Sequence, residues 1–308
     1  MGKRVQRGNN VEVVQLTFIF YYIKMNSVKN GKLHVFVGID PSISSTGVAV
    51  WIKETNFYHL YNIRNKRTKK EENKMPSAGP IDVVMYRYVD PNRYKGGDQH
   101  KFELAKTLNL INIAKEIRKI LYRLILEFGA GALNIEMYAC IETNAFRAGA
   151  RSVSLADLCG LNFLIRNTVI NLNSEFACGV DARLICATPS EIKKYATGRG
   201  DADKELMLFC FSLLQPDIAE TYGFMKLDDL ADAHFMMNYA HSLYIKDKDK
   251  DTVTGLSMCG YSDEQEKLIY DKINETKTLK RENKIAVKNN KNKKSVWDGD
   301  MLSFADGV

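Results

Sequence analysis

The sequence predicts a mixed α/β fold in which helices flank a central sheet. Short apolar runs rich in β-branched residues recur along the chain, and longer segments between them carry apolar residues three and four positions apart. This order of strands and helices, β-β-β-α-β-α-β-α-α, is typical of a sheet with helices packed on its faces. The hydrophobic fraction of 45% and the charged fraction of 26% are ordinary for a globular protein and exclude a chain disordered throughout.

The first two predicted strands flank a short polar turn. Residues 33–39 read LHVFVGI, a continuous apolar run that is typical of a buried central strand. The run ends at Asp40 and Pro41, because proline cannot donate a hydrogen bond to a neighbouring strand. The apolar pattern resumes over residues 48–52 after the turn residues 45–47, so we expect two strands joined by a tight turn.

The next region is predicted to hold a long insertion, a third strand and a long helix. Residues 53–80 are polar, basic and punctuated by proline and glycine, which indicates a mobile segment of an insertion that reaches to about residue 100. Residues 81–89 alternate enough to form the third strand. Residues 102–128 carry apolar side chains at helical spacing, and Gly129 ends that helix.

Two short strands and several helices complete the predicted core. The strands are residues 138–141 and 184–187, and Thr188 with Glu191 has the spacing of a capping box at the start of a helix. Further helices are predicted over residues 152–172, 202–214 and 228–245. We therefore expect an N-terminal extension over residues 1–31, a core domain over residues 32–245, and a charged, flexible C-terminal tail over residues 246–308.

The positive charge is concentrated in two stretches. The chain has 44 Lys and Arg against 37 Asp and Glu, a net charge of +7. Residues 277–294 hold eight basic residues and one acid, so this stretch accounts for the whole excess; residues 53–95 hold ten basic residues against five acids. Both stretches suit a polyanion such as DNA. The alternative is a solvated insertion and a disordered tail that keep the protein soluble.

The cysteines and the N-terminus bear on the compartment. None of the six cysteines forms a C-x-x-C pair and most lie in apolar runs, which predicts buried free thiols in a reducing compartment. Residues 11–23 are apolar but too short for a bilayer, which needs roughly 20 residues. We expect no membrane segment and an intracellular protein, in the cytoplasm or at a viral replication site. Either Met25 is the natural start, or residues 11–23 form an edge strand or a partner-binding segment.

Four acidic residues stand where their side chains can converge. Asp40 directly follows one buried strand and Glu142 another, and Asp229 and Asp232 lie three apart on one helix face. Neighbouring strands lie about 5 Å apart, so acids at their ends can meet beneath a helix that carries two more. Clustered carboxylates repel one another, and divalent cations that prefer hard oxygen ligands offset that repulsion. The alternative for each acid taken alone is a turn residue or a solvated helix face.

Four motifs carry a resemblance to a known family. They are VGIDPS with TG at residues 37–47, IET at 141–143, TPSEIKK with GRGDADK at 188–204, and DLADA at 229–233. In this order they resemble the motifs of RuvC-type Holliday junction resolvases over about residues 33–245. The resemblance implies an RNase H-like fold and a metal-dependent endodeoxyribonuclease that resolves four-way DNA junctions by paired symmetric nicks. The long insertion and the basic tail favour a divergent viral or phage-like member.

The resemblance also implies the metal ligands. Asp40, Glu142, Asp229 and Asp232 would be the catalytic carboxylates and would hold two Mg²⁺ or Mn²⁺ ions, with Asp228 as a substitute for its neighbour. A water activated by one ion would attack the phosphodiester, and the other ion would stabilise the leaving 3′ oxygen. His234 is two residues beyond Asp232, and we expect it to be a satisfied helix histidine rather than a neighbour of the metals.

The resemblance assigns DNA contacts to four more residues. Lys193 and Lys204 match basic residues that face the DNA phosphate near the metals, where Lys204 would take part in catalysis; the alternative is a pair of exposed helix charges. Phe146 and Arg147 follow Glu142 where the family carries an aromatic residue that contacts bases. The spacing here is one residue longer than in the family, and the alternative for Phe146 is a place in the core.

Symmetric cutting of a four-way junction implies a homodimer with two-fold symmetry. In the family the helix after the second motif builds the interface, which here is the helix over residues 152–172. Its apolar seam would be Leu158, Leu161, Leu164 and Ile165, unless these residues pack on the sheet. The acidic and aromatic segment at residues 297–304 is a candidate contact for a protein partner of the tail.

Three alternatives stay open at the level of the sequence. One is a RuvC-like nuclease that acts on flaps or forks instead of four-way junctions. Another is a nucleotide-binding protein of the actin and sugar-kinase class, although the second Asp-Gly-Gly phosphate loop of that class is absent from the sequence. The third is a non-catalytic DNA-binding relative, which the retention of all four acids disfavours.

Overall fold

A computed structural model of the chain describes residues 31–65, 79–129, 134–143, 153–176, 179–222, 227–248 and 259–279, together with residue 282. Two compact units divide the chain, Met1–Cys259 and Gly260–Val308. The predicted extension, apart from residue 31, lies outside the described residues, as do Met25 and the segment at residues 297–304. The predicted domain boundaries stay a prediction.

Six strands form one mixed sheet within the described residues, in the order β4-β3-β2-β1-β5-β6. They are β1 Lys32–Asp40, β2 Ser45–Ile52, β3 Phe57–Asn65, β4 Ile81–Tyr86, β5 Asn134–Glu142 and β6 Val180–Ala187. β2 runs antiparallel to both β1 and β3, whereas β1, β5 and β6 are mutually parallel and β4 is parallel to β3. The predicted mixed α/β class is confirmed, and the RNase H-like fold that the motif resemblance implies stays a prediction.

Six α-helices accompany the sheet in the described part of the first unit. They are α1 Gln99–Phe128, α2 Val153–Glu175, α3 Pro189–Thr197, α4 Lys204–Leu214, α5 Pro216–Tyr222 and α6 Asp228–Lys248. The predicted capping box of α3 is present: the Thr188 side chain accepts from the Glu191 backbone, and Glu191 accepts from the Thr188 backbone. Asp98 and Asp203 cap α1 and α4 in the same way, through a side-chain oxygen.

The prediction of a mobile segment over residues 53–80 is wrong for residues 57–65, which form β3. Residues 57–64 of β3 pair with β2, and Leu60 and Ile63 are fully buried. Tyrosine, histidine, asparagine and arginine made this stretch look polar, but aromatic and β-branched residues favour a strand once a partner strand is present. The next strand, β4, ends at Tyr86 rather than at residue 89. At Val89 the Asn109 side chain of α1 takes the place of a partner strand. The Val89 N–H donates to Asn109 Oδ1, and the Val89 carbonyl accepts from Asn109 Nδ2.

The two faces of the sheet are covered by different helices. Strand side chains alternate between faces, and one face presents aliphatic residues such as Val37 and Ile141 to α1 and α2. α6 packs on the other face, across β1, β2 and β5, and α3 and α4 pack against α6. That second face is aromatic around Phe36, whose ring stacks on Trp51 and on Tyr138.

The predicted dimer seam on α2 is wrong in two of its four residues. Leu161 and Ile165 are fully buried and belong to the aliphatic core, because they face the sheet. The exposed apolar residues of α2 are Phe163 and Ile170, whose exposed fractions are 72% and 52%. They lie seven positions apart and therefore share one face of the helix.

Within the region predicted to be a flexible tail, residues 263–279 form a helix. Ile269 and Ile273 lie four positions apart on one side of it, which is the periodicity that stabilises an amphipathic helix. The five cysteines in the described part of the chain are free; Cys140, Cys210 and Cys259 are buried, but Cys186 is exposed. Of the helices that the structure describes, none is long and apolar enough to cross a membrane. The reducing compartment stays a prediction.

Candidate active site

The ends of two adjacent parallel strands bring Asp40 and Glu142 together. Ile39 of β1 is the register partner of Ile141 of β5, so the next residue of each strand lies at the same edge of the sheet. The two carboxyl groups share a hydrogen bond. The end of β5 is held in place by Asn162 of α2, whose amide nitrogen donates to the Glu142 carbonyl at 2.6 Å.

Two glycines let α6 lie directly on this edge of the sheet. A Cβ atom added to Gly47 would overlap the carbonyl oxygen of Asp229, and one added to Gly38 would overlap the carbonyl oxygen of Ala233. Gly47 is also the register partner of Asp40. The first turns of α6 therefore rest on β1 and β2 beside Asp40, and the helical spacing of three turns Asp232 to the same side as Asp229.

The four carboxyl groups are close enough to raise one another's pKa. Burial raises the pKa of Asp40 well above its usual range, and the charges of Asp232, Glu142 and Asp229 raise it further. Burial, and then Glu142 and Asp229, raise the pKa of Asp232 to about 7. Burial also raises the pKa of Glu142 and that of Asp229. The structure thus brings together the four acids that the sequence singled out, whereas their catalytic and metal-binding roles stay a prediction.

Two lysines lie beside the four carboxylates. Lys193, on α3, lowers the pKa of both Glu142 and Asp232, although burial outweighs it in each case. Lys204 begins α4 and its Nζ lies 2.8 Å from Asp228 Oδ2. The charges of Asp229 and Asp232 also raise the pKa of Lys204, although less than Asp228 does. Asp228 is therefore engaged with a lysine at the rim, and its role as a substitute for Asp229 stays a prediction.

Sequence reasoning missed a polar group that supports Asp229 from β2 and β3. The Ser45 hydroxyl hydrogen-bonds Asp229 and also lies 3.1 Å from Asn62 Oδ1. Arg64 Nε donates to the same Asn62 oxygen at 2.6 Å, and its charge lowers the pKa of Asp229. Asn62 and Arg64 lie in the stretch that was predicted to be an insertion. Leu60, Asn62 and Arg64 are alternate residues and so lie on one face of a strand, which is the signal that the sequence offered.

Two predicted site elements lie elsewhere. Phe146 and Arg147 are outside the described residues. His234 is buried away from the acids, with Nδ1 2.9 Å from the Tyr58 hydroxyl and Nε2 3.0 Å from the Asn238 amide nitrogen. The expectation of a satisfied helix histidine is confirmed.

The donor set fits a hard divalent cation in its chemistry. Four carboxylates supply oxygen ligands alone, which is what Mg²⁺ and Mn²⁺ prefer, and their mutual repulsion is what such a cation would relieve. Among the described residues, no three acidic, histidine or cysteine side chains already surround one point as ligands would.

The raised pKa of Asp232 predicts how the stability of the metal-free protein depends on pH. Between about pH 4 and pH 7 the folded protein keeps a proton on Asp232 that the unfolded chain has released, so the folded state binds more protons. Stability in EDTA should therefore fall as the pH rises through this window, by an amount on the order of a few kcal/mol. Thermal unfolding at about pH 5 and pH 8 measures the slope.

An Asp232→Asn variant should show a clearly shallower slope, because the group that loses its proton is gone. Asp217→Asn is the matched control, since Asp217 is exposed at the start of α5. An unchanged slope in the Asp232 variant, with the control also unchanged, would contradict the burial and crowding described for this carboxyl.

Comparisons with known proteins give weak likenesses. No family model and no curated protein matches the sequence. Among solved structures, RuvC of Thermus thermophilus is 15% identical with a TM-score of 0.34, covering 70% of this chain and 96% of that one. The yeast mitochondrial Holliday junction resolvase is 11% identical with a TM-score of 0.33, covering 72% of this chain and 82% of that one.

Proposed function

We propose that this protein is a metal-dependent endodeoxyribonuclease that resolves four-way DNA junctions by paired symmetric nicks. The observation that supports this most strongly is the meeting of four carboxyl groups, one buried and three half-buried, from three distant segments, β1, β5 and α6. Buried like charges are costly, and a fold retains them where they serve a site. Three of the four RuvC-type motifs supply these same acids, in the same order.

Asp40, Glu142, Asp229 and Asp232 would hold two Mg²⁺ or Mn²⁺ ions. When bound, such a pair supplies an activated water and stabilises the leaving oxygen of an in-line displacement at phosphorus. The chain's own residues do the rest. The carboxylates would hold such ions beside the phosphodiester, and Lys193 and Lys204 would offset the charge that develops on the phosphate. Lys204 would have to leave its ion pair with Asp228 to do so.

Paired nicks across a junction with two-fold symmetry require two active sites, and a homodimer provides them. We assign the dimer contact to the exposed face of α2 that carries Phe163 and Ile170, since an apolar ring exposed to this degree favours a partner surface. The basic stretches at residues 53–95 and 277–294 would bind phosphates outside the cleavage site, in a manner that weakens with salt. Phe146 and Arg147 would contact bases at the crossover, and the C-terminal segment would bind a protein partner.

The test is cleavage of synthetic branched DNA. We expect the wild-type protein to cut a four-way junction with Mg²⁺ or Mn²⁺ at two symmetric positions, leaving 5′ phosphates and 3′ hydroxyls, and to cut nothing in EDTA. Flap, fork and linear duplex substrates of the same sequences are the matched controls. Equal or faster cutting of flaps or forks would replace the resolvase assignment by the broader nuclease.

Two further outcomes would contradict the proposal altogether. Binding without cleavage in either metal would indicate a non-catalytic DNA-binding protein. Tight binding of ATP, with no cleavage, would favour the actin and sugar-kinase class.

A further inference from the structure

A second cavity lies on the α6 side of the sheet, away from the acidic cluster. It measures about 280 Å³, is open to solvent on one side, and is lined by the end of β2, the start of β3, the end of α4 and the middle of α6. Its α6 residues begin with His234, two positions beyond Asp232 and therefore about 200° around the helix from it, and end with His241, nine positions beyond Asp232. The cavity is therefore separate from the candidate active site.

Aromatic rings form the walls of this cavity. Trp51 and Tyr58 are register partners across the β2–β3 hairpin, and both line it. His241 meets the Trp51 indole edge-on, with ring centroids 4.7 Å apart. Phe36 stacks on the same indole at 5.5 Å, which fixes the orientation of Trp51 from behind. Two aromatic strand residues and a helix histidine thus offer preformed surfaces for a flat ligand.

Polar groups at the cavity retain hydrogen-bonding capacity. The Asn238 amide nitrogen only donates, so His234 Nε2 accepts and the ring proton sits on Nδ1, where it donates to the Tyr58 oxygen. This leaves the Tyr58 hydroxyl proton available. Asn56 accepts from the Trp51 indole through Oδ1 at 3.2 Å, and its amide N–H groups have no acceptor among the residues that the structure describes.

Gln215 completes the polar rim from the end of α4. Its backbone N–H bonds Phe211, and its side-chain amide makes no hydrogen bond within the part of the chain that the structure describes. The cavity thus combines flat aromatic walls with separate donors and acceptors.

We propose that this cavity binds one nucleobase, with Trp51 against the base and the amides of Asn56 and Gln215 at its edge. A volume of about 280 Å³ suits a single base and excludes a duplex. Stacking on an aromatic ring accepts any base, and edge amides pair with the donors and acceptors that bases carry. The base can come from a free nucleoside monophosphate or from an unstacked nucleotide of DNA. The proposal does not depend on the nuclease assignment.

The test uses the fluorescence of Trp51. The chain has two tryptophans, so a Trp297→Phe background leaves Trp51 alone. Titration with AMP, CMP, GMP and TMP should quench it saturably for at least one nucleotide, with a Kd between about 10 μM and 1 mM. Gln215→Ala should weaken binding about five-fold or more, on the order of one lost hydrogen bond. Gln99→Ala, at the start of α1, is the matched control and should bind as the parent does.

A second arm identifies the source of the base. In an Asp40→Asn background, duplex DNA with one bulged nucleotide is compared with the same duplex carrying an abasic bulge. If the duplex with a bulged base displaces the mononucleotide and the abasic duplex does not, the cavity binds a base of DNA. If mononucleotides bind and neither duplex displaces them, the cavity binds free nucleotides. Either result supports the proposal. The absence of saturable quenching and of a thermal shift with all four nucleotides at several millimolar overturns it. Equal binding by the Gln215 variant and its parent also overturns it.

Discussion

Replacing Asp40 by asparagine should abolish junction cleavage, by about a thousand-fold or more, while the affinity for the junction stays within a few-fold of the parent. Asp40 interacts with all three other acids, so its loss affects the whole cluster. Glu142→Gln should behave alike, because its carboxyl is the one hydrogen-bonded to Asp40. Cleavage rates in Mg²⁺ and gel-shift affinities in Ca²⁺ separate catalysis from binding.

The same two variants also test the stability of the metal-free protein. Each removes a buried group that others repel, so its melting temperature in EDTA at about pH 8 should equal or exceed that of the parent. Asp217→Asn is again the control and should cut and melt like the parent. Normal cleavage by both the Asp40 and the Glu142 variants would show that these acids are not the site.

Replacing Gly38 by alanine should destabilise the protein by about 3 kcal/mol or more and remove cleavage with it. The added Cβ would overlap the carbonyl oxygen of Ala233 and the backbone nitrogen of Met237. Both are backbone atoms of α6, so no side-chain rotation relieves the overlap and the helix must move off β1. Asp229 and Asp232 would then move away from Asp40, so this one substitution would lower both the stability and the activity.

Gly97→Ala is the matched control for this prediction. A Cβ at Gly97 would lie 3.9 Å from the nearest heavy atom, the Tyr94 carbonyl oxygen. Such a change is expected to alter stability by less than about 1 kcal/mol. Thermal unfolding and cleavage rates, measured for both variants, test this prediction. If Gly38→Ala melts and cuts like Gly97→Ala, α6 does not rest on β1 as described.

The carboxylate cluster could be predicted because its parts are local signals. Asp40 and Glu142 each end an apolar strand, and Asp229 and Asp232 share a helix face by spacing alone. The support from Ser45, Asn62 and Arg64 could not, because β3 becomes recognisable as a strand only when it pairs with β2. The outward-facing side of α2 could not be predicted either. Its periodicity identifies a helix, but most of its sides carry apolar residues, so the sequence does not indicate which side faces the sheet.

The order of strands and helices, the capped start of α3 and the positions of the four acids follow from the amino-acid sequence by itself, because each depends on neighbours within a few residues. The tertiary structure alone decided that α6 touches β1 and β2 at two glycines, that Leu161 faces the core while Phe163 faces outward, and that Trp51 and Gln215 line one cavity. These features depend on contacts between residues far apart in the chain. Burial and mutual repulsion, which raise the pKa of Asp232, likewise exist only once those segments have packed.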